Sequence, residues 1–408
     1  MKTLRHAALA STTALALSAC GGSGTGSGAS GPTGTVGATP PAPAPATSAT
    51  PTTTATAQTC VREAYESLSE DQRLGQLLMI GFDTNAPLTA LDEYVRDEHV
   101  GNVIYLGGWE GFEKVRSTSE HLDGLVDAES TGDVGLLIAA DQEGGIVHQL
   151  RGDGFTRPPR ALDQAALSPD ELTAAATGWG EEIAAAGVDV NLAPVADTVP
   201  DEIGTANEPI GRWGRQFGSD PAVVSEYVTA FLDGMAAAGV VGIVKHFPGL
   251  GRVTGNTDFT AEGIEDPVAT VDDPFLDPFV AGMDAGAGMV MMASALYPGL
   301  DPDNQALYSS AIVTDLLRDR LGWDGVVITD DVNAAALAGI PAGERAVGFI
   351  AAGGDIVLNG EPRATAEMLE AIRSEMATDP EFATKVEAAV ERVLSLKDEL
   401  GMLPCSAG

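Results

Sequence analysis

Eight short apolar segments recur along the chain from residue 77 onward, separated by longer stretches with helical character. Each is continuously hydrophobic rather than alternating, which is typical of strands buried on both faces of a parallel sheet. Eight such strands alternating with helices predict an α/β fold, a (β/α)₈ TIM-type barrel, with a doubly wound open sheet as the alternative. The strand candidates are "LLMIGF" (77–82), "VGNVIYL" (100–106), "GLLIAAD" (135–141), "VDVNLAPV" (188–195), "VVGIVKHF" (240–247), "GMVMMAS" (288–294), "GVVITD" (325–330) and "DIVLN" (355–359).

The stretches between these segments are rich in Ala, Leu and Glu, as in 170–187 and 309–322. Several of the strands end in polar or charged residues, any one of which could simply cap a helix or face solvent. In a barrel they would all gather at the carboxyl ends of the strands, where catalytic groups of such barrels lie. They are Asp141, Asn191, Asp197, Lys245, His246, Ser294, Asp330 and Asn359.

The first twenty residues have the pattern of a secretory signal peptide. Lys2 and Arg5 precede an apolar run that ends in Leu-Ser-Ala-Cys at Cys20, and the run is too short to span a membrane as a mature helix. The ending resembles a bacterial lipobox, in which the cysteine carries a lipid after cleavage; the alternative is an ordinary signal peptide. We therefore expect an exported protein, lipid-anchored through Cys20 on the extracytoplasmic side of the cell membrane.

Residues 21–59 contain no charged residue and consist mainly of Gly, Ser, Thr, Pro and Ala, a composition that predicts a disordered linker. Residues 60–408 then form one domain of the size of a barrel. The formal charge of −37 includes Lys2 and Arg5, so it stands near −39 without them. Such an acidic protein is a poor candidate for binding nucleic acid, and we expect a monomer.

Two further cysteines, Cys60 and Cys405, lie at opposite ends of the predicted domain. In an oxidising compartment a pair of leftover cysteines favours a disulfide, and a closed barrel would bring its two ends together. Two free, buried thiols are the alternative.

The segment "LLRDRLGWDGVVITDD" (316–331) combines the basic end of a helix, a glycine turn and a strand that ends in Thr329, Asp330 and Asp331. A carboxylate at the end of a strand suits nucleophilic attack on an electrophilic carbon, although an aspartate here could also cap a following helix. This segment resembles the nucleophile motif of the family 3 glycoside hydrolases. The resemblance covers residues 60–405 and is closest to their single-domain β-N-acetylhexosaminidase branch; the other matching segments are "AADQEGGIVHQLR" (139–151), "VNLAPVAD" (190–197), "IGRWGRQFG" (210–218) and "KHFPG" (245–249).

The resemblance implies roles for individual residues. Asp330 matches the catalytic nucleophile of a retaining double displacement, whereas Asp331 is interpreted as a cap or an orienting group. Asp141 matches the acid that holds sugar hydroxyls, and Lys245 and His246 match the pair that donates hydrogen bonds to the sugar; a buried ion pair and a core imidazole are their alternatives.

Two arginines complete the implied substrate site. Arg215 matches the sugar-contacting arginine, although Arg212 competes because the spacing of the motif is two residues longer here. Arg151 remains as a basic partner in the segment that follows Asp141, where Ile146 and Gln149 stand in place of the arginines common in the branch.

The loop after "KHFPG" departs from the family pattern. The hexosaminidase branch carries an Asp–His dyad there as acid/base, whereas this chain reads Leu250 for the first expected histidine and Asn256-Thr257-Asp258 at the dyad, with no later histidine. Asp258 with a raised pKa is one candidate acid/base. Glu262 or another loop carboxylate is a second possibility, and a catalytically weak protein that retains sugar binding is a third. The glycines of this loop are interpreted as allowing it to move.

The sequence thus predicts an exported, retaining β-N-acetylglucosaminidase that acts on terminal N-acetylglucosamine of peptidoglycan fragments. A carbohydrate-binding lipoprotein and a family 3 enzyme for another β-glycoside are the alternatives. A small carbohydrate is the expected partner, no cofactor is implied, and no cluster of residues has the spacing of metal ligands.

Overall fold

In a computed structural model of the protein, all eight predicted strands form and pair in parallel with their neighbours. Going round the sheet, the seventh strand of the chain is followed by the sixth, fifth, fourth, third, second, first and eighth. A bridge between Ile328 and Ile356 joins the seventh strand to the residues just before the eighth. The sheet therefore closes into a nearly complete barrel, which confirms the predicted fold and excludes the doubly wound sheet. The strands are β1 (Leu78–Asp83), β2 (Asn102–Leu106), β3 (Leu137–Ala140), β4 (Val190–Asn191), β5 (Val241–Phe247), β6 (Met289–Met292), β7 (Val326–Thr329) and β8 (Val357–Asn359).

Helices surround the barrel, and local sequence signals define where the long ones begin. Ser168 and Glu171 form a capping box at the start of α6, and Asp379 caps α11 ahead of a proline in its first turn, so that otherwise unpaired N–H groups find acceptors. The helices are α1 (Thr52–Ser67), α2 (Glu70–Gly75), α3 (Asp92–Arg96), α4 (Phe112–Asp123), α5 (Ala161–Gln164), α6 (Pro169–Ala185), α7 (Pro221–Ala237), α8 (Asp277–Asp284), α9 (Ala342–Ala352), α10 (Thr365–Thr378) and α11 (Pro380–Glu399).

The remaining regular structure is short. The segment predicted as a helix over 309–322 forms a π-helix, Ala311–Arg320. Two-stranded ladders lie outside the barrel, in the loops that follow its strands. They pair Gln142–Gly144 with Val147–His148, Trp109–Glu110 with Leu150–Arg151, and Leu296–Tyr297 with Asp301–Gln305.

The structure describes the backbone of residues 52–405 and the side chains from residue 59. The predicted signal peptide, Cys20 and most of the predicted linker lie outside these residues. Helix α1 begins at Thr52, within the segment that the sequence predicts as a linker. Residues 52–405 belong to one compact unit. Within residues 52–405, no helix combines the length and the apolar content that a membrane crossing requires.

The two ends of this unit meet below the barrel. Cys60 in α1 and Cys405 form a disulfide with a Cα–Cα distance of 5.7 Å. The N–H of Gly135, which precedes β3, donates to the carbonyl of Met402. Met402 and Cys405 therefore lie at the amino ends of the strands, opposite the rim that holds their polar carboxyl ends.

Candidate active site

A cavity of about 180 Å³ opens at the carboxyl ends of the barrel strands. It is small beside the pockets of roughly 300–1,000 Å³ that hold drug-sized ligands, so it has room for a single sugar ring. Apolar and charged side chains both line it. The lining residues are Ile104, Leu106, Asp141, Val147, Pro209, Arg215, Lys245, His246, Leu250, Asn256, Thr257, Asp258, Met291, Asp330, Asp331 and Leu358.

Four charged side chains form a buried network on one side of the cavity. Lys245, near the end of β5, contacts Asp141 after β3 at 2.6 Å and Glu143 at 2.7 Å. Arg215 binds Glu143 with both prongs of its guanidinium, at 2.8 and 2.7 Å. Such two-pronged pairs fix geometry as well as charge, so the network holds Asp141 and Lys245 in place at the cavity wall.

The network keeps Glu143 and Lys245 ionised although they are buried. Burial alone would raise the pKa of Glu143, but the charges of Arg215 and Lys245 outweigh it and hold that pKa well below its usual range. Burial would likewise lower the pKa of Lys245, and the carboxylates of Asp141 and Glu143 raise it instead. Lys245 therefore presents a permanent cation to the cavity at any physiological pH.

His246 also lines the cavity although it is next to Lys245 in the same strand. The pairing of β5 with β6 shifts register here, since Lys245 lies opposite Met291 and Phe247 lies opposite Met292. Such an irregularity re-aims a side chain that would otherwise point to the opposite face. The strand can therefore present two adjacent side chains to one site.

The orientation of the His246 ring depends on Asp197. Nδ1 of His246 lies 2.8 Å from the buried carboxyl of Asp197, which also accepts the backbone N–H groups of His246 and Leu250. Because Asp197 acts as an acceptor towards these groups, Nδ1 carries a proton. The other ring nitrogen, Nε2, lies 3.5 Å from Nη2 of Arg215.

Two adjacent aspartates follow β7. Asp330 is half-buried, its N–H donates to the carbonyl of Met292 in β6, and its Oδ1 accepts the N–H of Asp331. Asp331 accepts the N–H and side-chain amide of Asn333 and the N–H of Gly360. Asp331 thus ties the loop after β7 to the loop after β8, in keeping with an orienting role, whereas Asp330 faces the cavity.

The loop after β5 brings Asp258 to the same cavity. Burial in the concave site, followed by the nearby charge of Asp330, raises the pKa of Asp258 to about 6. The residue nevertheless keeps solvent access at the cavity mouth, so a substrate can reach it. A carboxyl with these properties can hold a proton near neutral pH and release it to a leaving group.

Hydrogen bonds fasten this loop at its base and at its tip. The side-chain amide of Asn207 donates to the carbonyls of Leu250 and Val253 at 2.7 and 2.6 Å. Near the tip, the N–H groups of Ala335 and Ala336, which follow Asp330, donate to the carbonyls of Asp258 and Thr257. The loop of Asp258 is therefore bonded directly to the loop of Asp330.

The glycines of this loop serve close packing. A Cβ on Gly251 would lie 1.7 Å from the carbonyl oxygen of Thr198, and one on Gly255 would lie 2.1 Å from that of Glu262. No other residue fits at either position without displacing backbone. Close packing therefore requires glycine at both positions, and movement of the loop stays a prediction.

The structure brings most of the predicted site residues together. Of the two competing arginines, Arg215 reaches the cavity, whereas Arg212 is exposed and pairs with Glu208. Arg151 is exposed outside the lining and donates to the carbonyl of His148. Glu262 is also exposed outside the lining, so Asp258 is the loop carboxylate that the structure places at the cavity.

Sequence reasoning missed Glu143 and gave Asp197 no role. Both are buried, at 6% and 0% exposure, and both hold the side chains that face the cavity. The signal for Glu143 was present, since a second carboxylate two residues after Asp141 at a strand end must find a partner when the segment is buried.

The chain matches the model of the glycosyl hydrolase family 3 N-terminal domain over residues 69–396. Among curated proteins, the β-hexosaminidase of Xanthomonas oryzae pv. oryzae (strain MAFF 311018) is 37% identical over 247 residues, which cover 58% of this chain and 71% of the relative.

Solved structures agree with this comparison. A β-N-acetylhexosaminidase from Beutenbergia cavernae DSM 12333 is 48% identical, with a TM-score of 0.78 over 81% of this chain and 98% of that one. A glycoside hydrolase family 3 β-N-acetylglucosaminidase from Paenibacillus sp. str. FPU-7 is 30% identical, with a TM-score of 0.71 over 82% of this chain and 63% of that one.

Proposed function

The chain belongs to glycosyl hydrolase family 3 and is a glycoside hydrolase of the β-N-acetylhexosaminidase type, and from that premise we propose that it releases terminal β-N-acetylglucosamine with retention of configuration. The observation that carries the proposal is that Asp330 and Asp258 line one cavity of single-sugar size, together with the charged network around Lys245. A cavity that holds one ring favours removal of a terminal sugar over cleavage within a chain.

In the first step, Asp330 attacks C1 of the bound sugar and the bond from C1 to the leaving-group oxygen breaks. Asp258 donates its proton to that oxygen, so the aglycone departs as a neutral alcohol. The raised pKa of Asp258 supports this role, because a carboxyl at its ordinary pKa would be deprotonated at neutral pH.

In the second step, the roles of the two carboxyls change. Asp258, now ionised, takes a proton from water, whose oxygen attacks C1 and breaks the ester bond to Asp330. Asp258 can stay ionised after it has given up its proton, because the nearby charges of Arg215 and His246 lower its pKa.

Binding of the sugar would rest on the charged side of the cavity. Asp141 accepts from sugar hydroxyls while Lys245 donates to them. Lys245 pairs with both Asp141 and Glu143, and Glu143 pairs with Arg215, which keeps these groups preorganised. Fixed, partly desolvated partners of this kind position C1 over Asp330 without rearrangement during the reaction.

For the biological substrate, we propose peptidoglycan fragments that carry a terminal N-acetylglucosamine, met outside the cytoplasm by an exported protein anchored through lipid on Cys20. The support is the signal and lipobox pattern of residues 1–20 together with the hexosaminidase relatives. Mass spectrometry of the mature N-terminus tests the anchor, and release of N-acetylglucosamine from purified muropeptides tests the substrate.

The test of activity uses aryl β-glycosides with the purified protein. The N-acetylglucosaminide should be hydrolysed faster than the glucoside, and Asp330→Asn should lower kcat/KM by on the order of 10⁴-fold or more. Asp331→Asn is the matched control and should retain far more activity, because Asp331 holds a turn rather than C1. Sugar binding without turnover in the unaltered protein would instead show a carbohydrate-binding protein.

Azide rescue assigns the two carboxyls independently. In Asp330→Gly, azide should attack C1 directly and give the α-glycosyl azide, because it approaches the face opposite the leaving group. In Asp258→Gly, azide should attack the ester on Asp330 and give the β-glycosyl azide. A β product from the first variant, or an α product from the second, would contradict the assignment.

A further inference from the structure

One large apolar side chain stands in solvent directly after Asp258, a residue that lines the active-site cavity. Phe259 is 82% exposed, the largest exposed fraction among the bulky apolar side chains of residues 59–405. An aromatic ring left in water forgoes the burial that normally stabilises it. Such exposure is informative where the residue adjoins a functional site.

The position of Phe259 in the chain places it beside the leaving group. It directly follows Asp258, which lines the cavity and, in the proposed mechanism, protonates the glycosidic oxygen. The sugar that is released as product fills the cavity, so the aglycone must lie outward from Asp258, at the mouth. Phe259 is thus next to the volume that the aglycone occupies.

Phe259 is held at this place by the backbone of its own loop. Its N–H donates to the carbonyl of Asn256 at 3.0 Å, and the carbonyls of Thr257 and Asp258 accept from the loop that follows Asp330. The turn that carries the ring is therefore bonded within its own loop and to the loop that follows Asp330. This fixed backbone lowers the entropy cost of binding a ligand at Phe259.

We propose that Phe259 is an aglycone-binding residue, a platform on which a second sugar ring of the substrate stacks with its C–H face. This inference rests on the proposed role of Asp258. Ile146, 49% exposed and adjacent to the cavity-lining Val147, offers a second apolar contact from the hairpin after β3. A pyranose ring suits such a surface because one of its faces is mostly C–H, while its hydroxyls remain in water.

The experiment compares two alkyl glycosides that differ in the second ring. β-1,4-linked N,N′-diacetylchitobiose carries a sugar as aglycone, and methyl β-N-acetylglucosaminide carries a methyl group; both need a proton on the leaving oxygen. Phe259→Ala should lower kcat/KM for the disaccharide by roughly three- to tenfold more than for the methyl glycoside, the size of one aromatic contact. Phe259→Trp should restore most of the loss.

Val268→Ala provides the matched control. Val268 lies on the same connection, is 59% exposed and is outside the cavity lining, so this variant should leave both rates as they are. Equal losses on both substrates in Phe259→Ala would overturn the inference, because they would show an effect on Asp258 or on folding. An unchanged disaccharide rate would overturn it as well.

Failure of the proposed function looks different. It would show as absence of turnover of either glycoside by the unaltered protein, before any variant is compared, and would remove the basis of the inference too. Turnover of both substrates with no selective effect of Phe259→Ala would reject the platform alone.

A second measurement tests whether the same surface binds an acceptor sugar during transglycosylation. With a nitrophenyl donor and free N-acetylglucosamine as acceptor, an acceptor hydroxyl attacks C1 of the glycosyl-enzyme, its proton passes to Asp258, and the bond to Asp330 breaks. Phe259→Ala should lower the ratio of transfer to hydrolysis several-fold, because water needs no platform. An unchanged ratio would argue against the inference.

Discussion

The protonation of Asp258 should set the upper pH limit of activity. The acid must be protonated when substrate binds, and burial together with Asp330 raises its pKa to about 6. The protonated fraction therefore falls tenfold for each pH unit above that value, and kcat/KM for an alkyl glycoside should fall with it. The measurement is the pH dependence of kcat/KM between about pH 4 and 9 with chitobiose.

The steepness of this decline in kcat/KM should depend on the leaving group. A dinitrophenyl glycoside departs without protonation, so its kcat/KM should show a much weaker decline above pH 6. Asp331→Asn should keep the decline on chitobiose, because its carboxyl ties two loops together. An equally steep decline with both leaving groups would assign the titration to another group.

Single residues also show what a sequence can and cannot give at this site. Asp330 is predictable because a long motif places it at a strand end, whereas Glu143 and Asp197 act through partners that lie far away in the chain. Arg215 could be separated from Arg212 only by the course of the loop before α7, in which Arg215 turns inward to Glu143. Such choices depend on three-dimensional packing and leave no local signal.

The packing of α6 against α7 depends on glycines that are not equivalent. A Cβ on Gly178 of α6 meets open space, whereas one on Gly180 would lie 2.6 Å from the Cβ of Ala238, just after α7. Gly178→Ala should therefore stabilise the protein by about 0.5–1 kcal/mol through helix propensity. Gly180→Ala should destabilise it by about 1–3 kcal/mol, since the two helices must move apart.

The midpoints of thermal unfolding of the two variants test this pair. Both substitutions add one methyl group to the same helix, so opposite shifts from the unaltered protein would isolate the effect of the neighbouring helix. A lower midpoint for both would mean that α6 tolerates no side chain at either position.

Elements of regular structure were predictable to different degrees for a physical reason. The strands are continuous apolar runs because both of their faces are covered, so all eight could be located to within a few residues. The catalytic loop after β5 contains no such apolar run. Its course follows from close contacts, such as Gly251 against Thr198, that join segments distant in sequence. The π-helical form of Ala311–Arg320 likewise has no signature in its hydrophobic pattern.

For the molecule as a whole, the disulfide between Cys60 and Cys405 joins the first and last elements across 345 residues. Closing so long a loop restricts the unfolded chain strongly, and replacing both cysteines by serine should cost about 2–5 kcal/mol. The bridge lies at the amino ends of the strands, away from the cavity, so kcat/KM at 25 °C should stay the same. Thermal unfolding with and without reductant measures the effect: reductant should lower the midpoint of the unaltered protein towards that of the double variant and leave the double variant where it is. Equal midpoints for the two proteins without reductant would show that the packing of α1 against α11 holds the ends of the barrel together without the bridge.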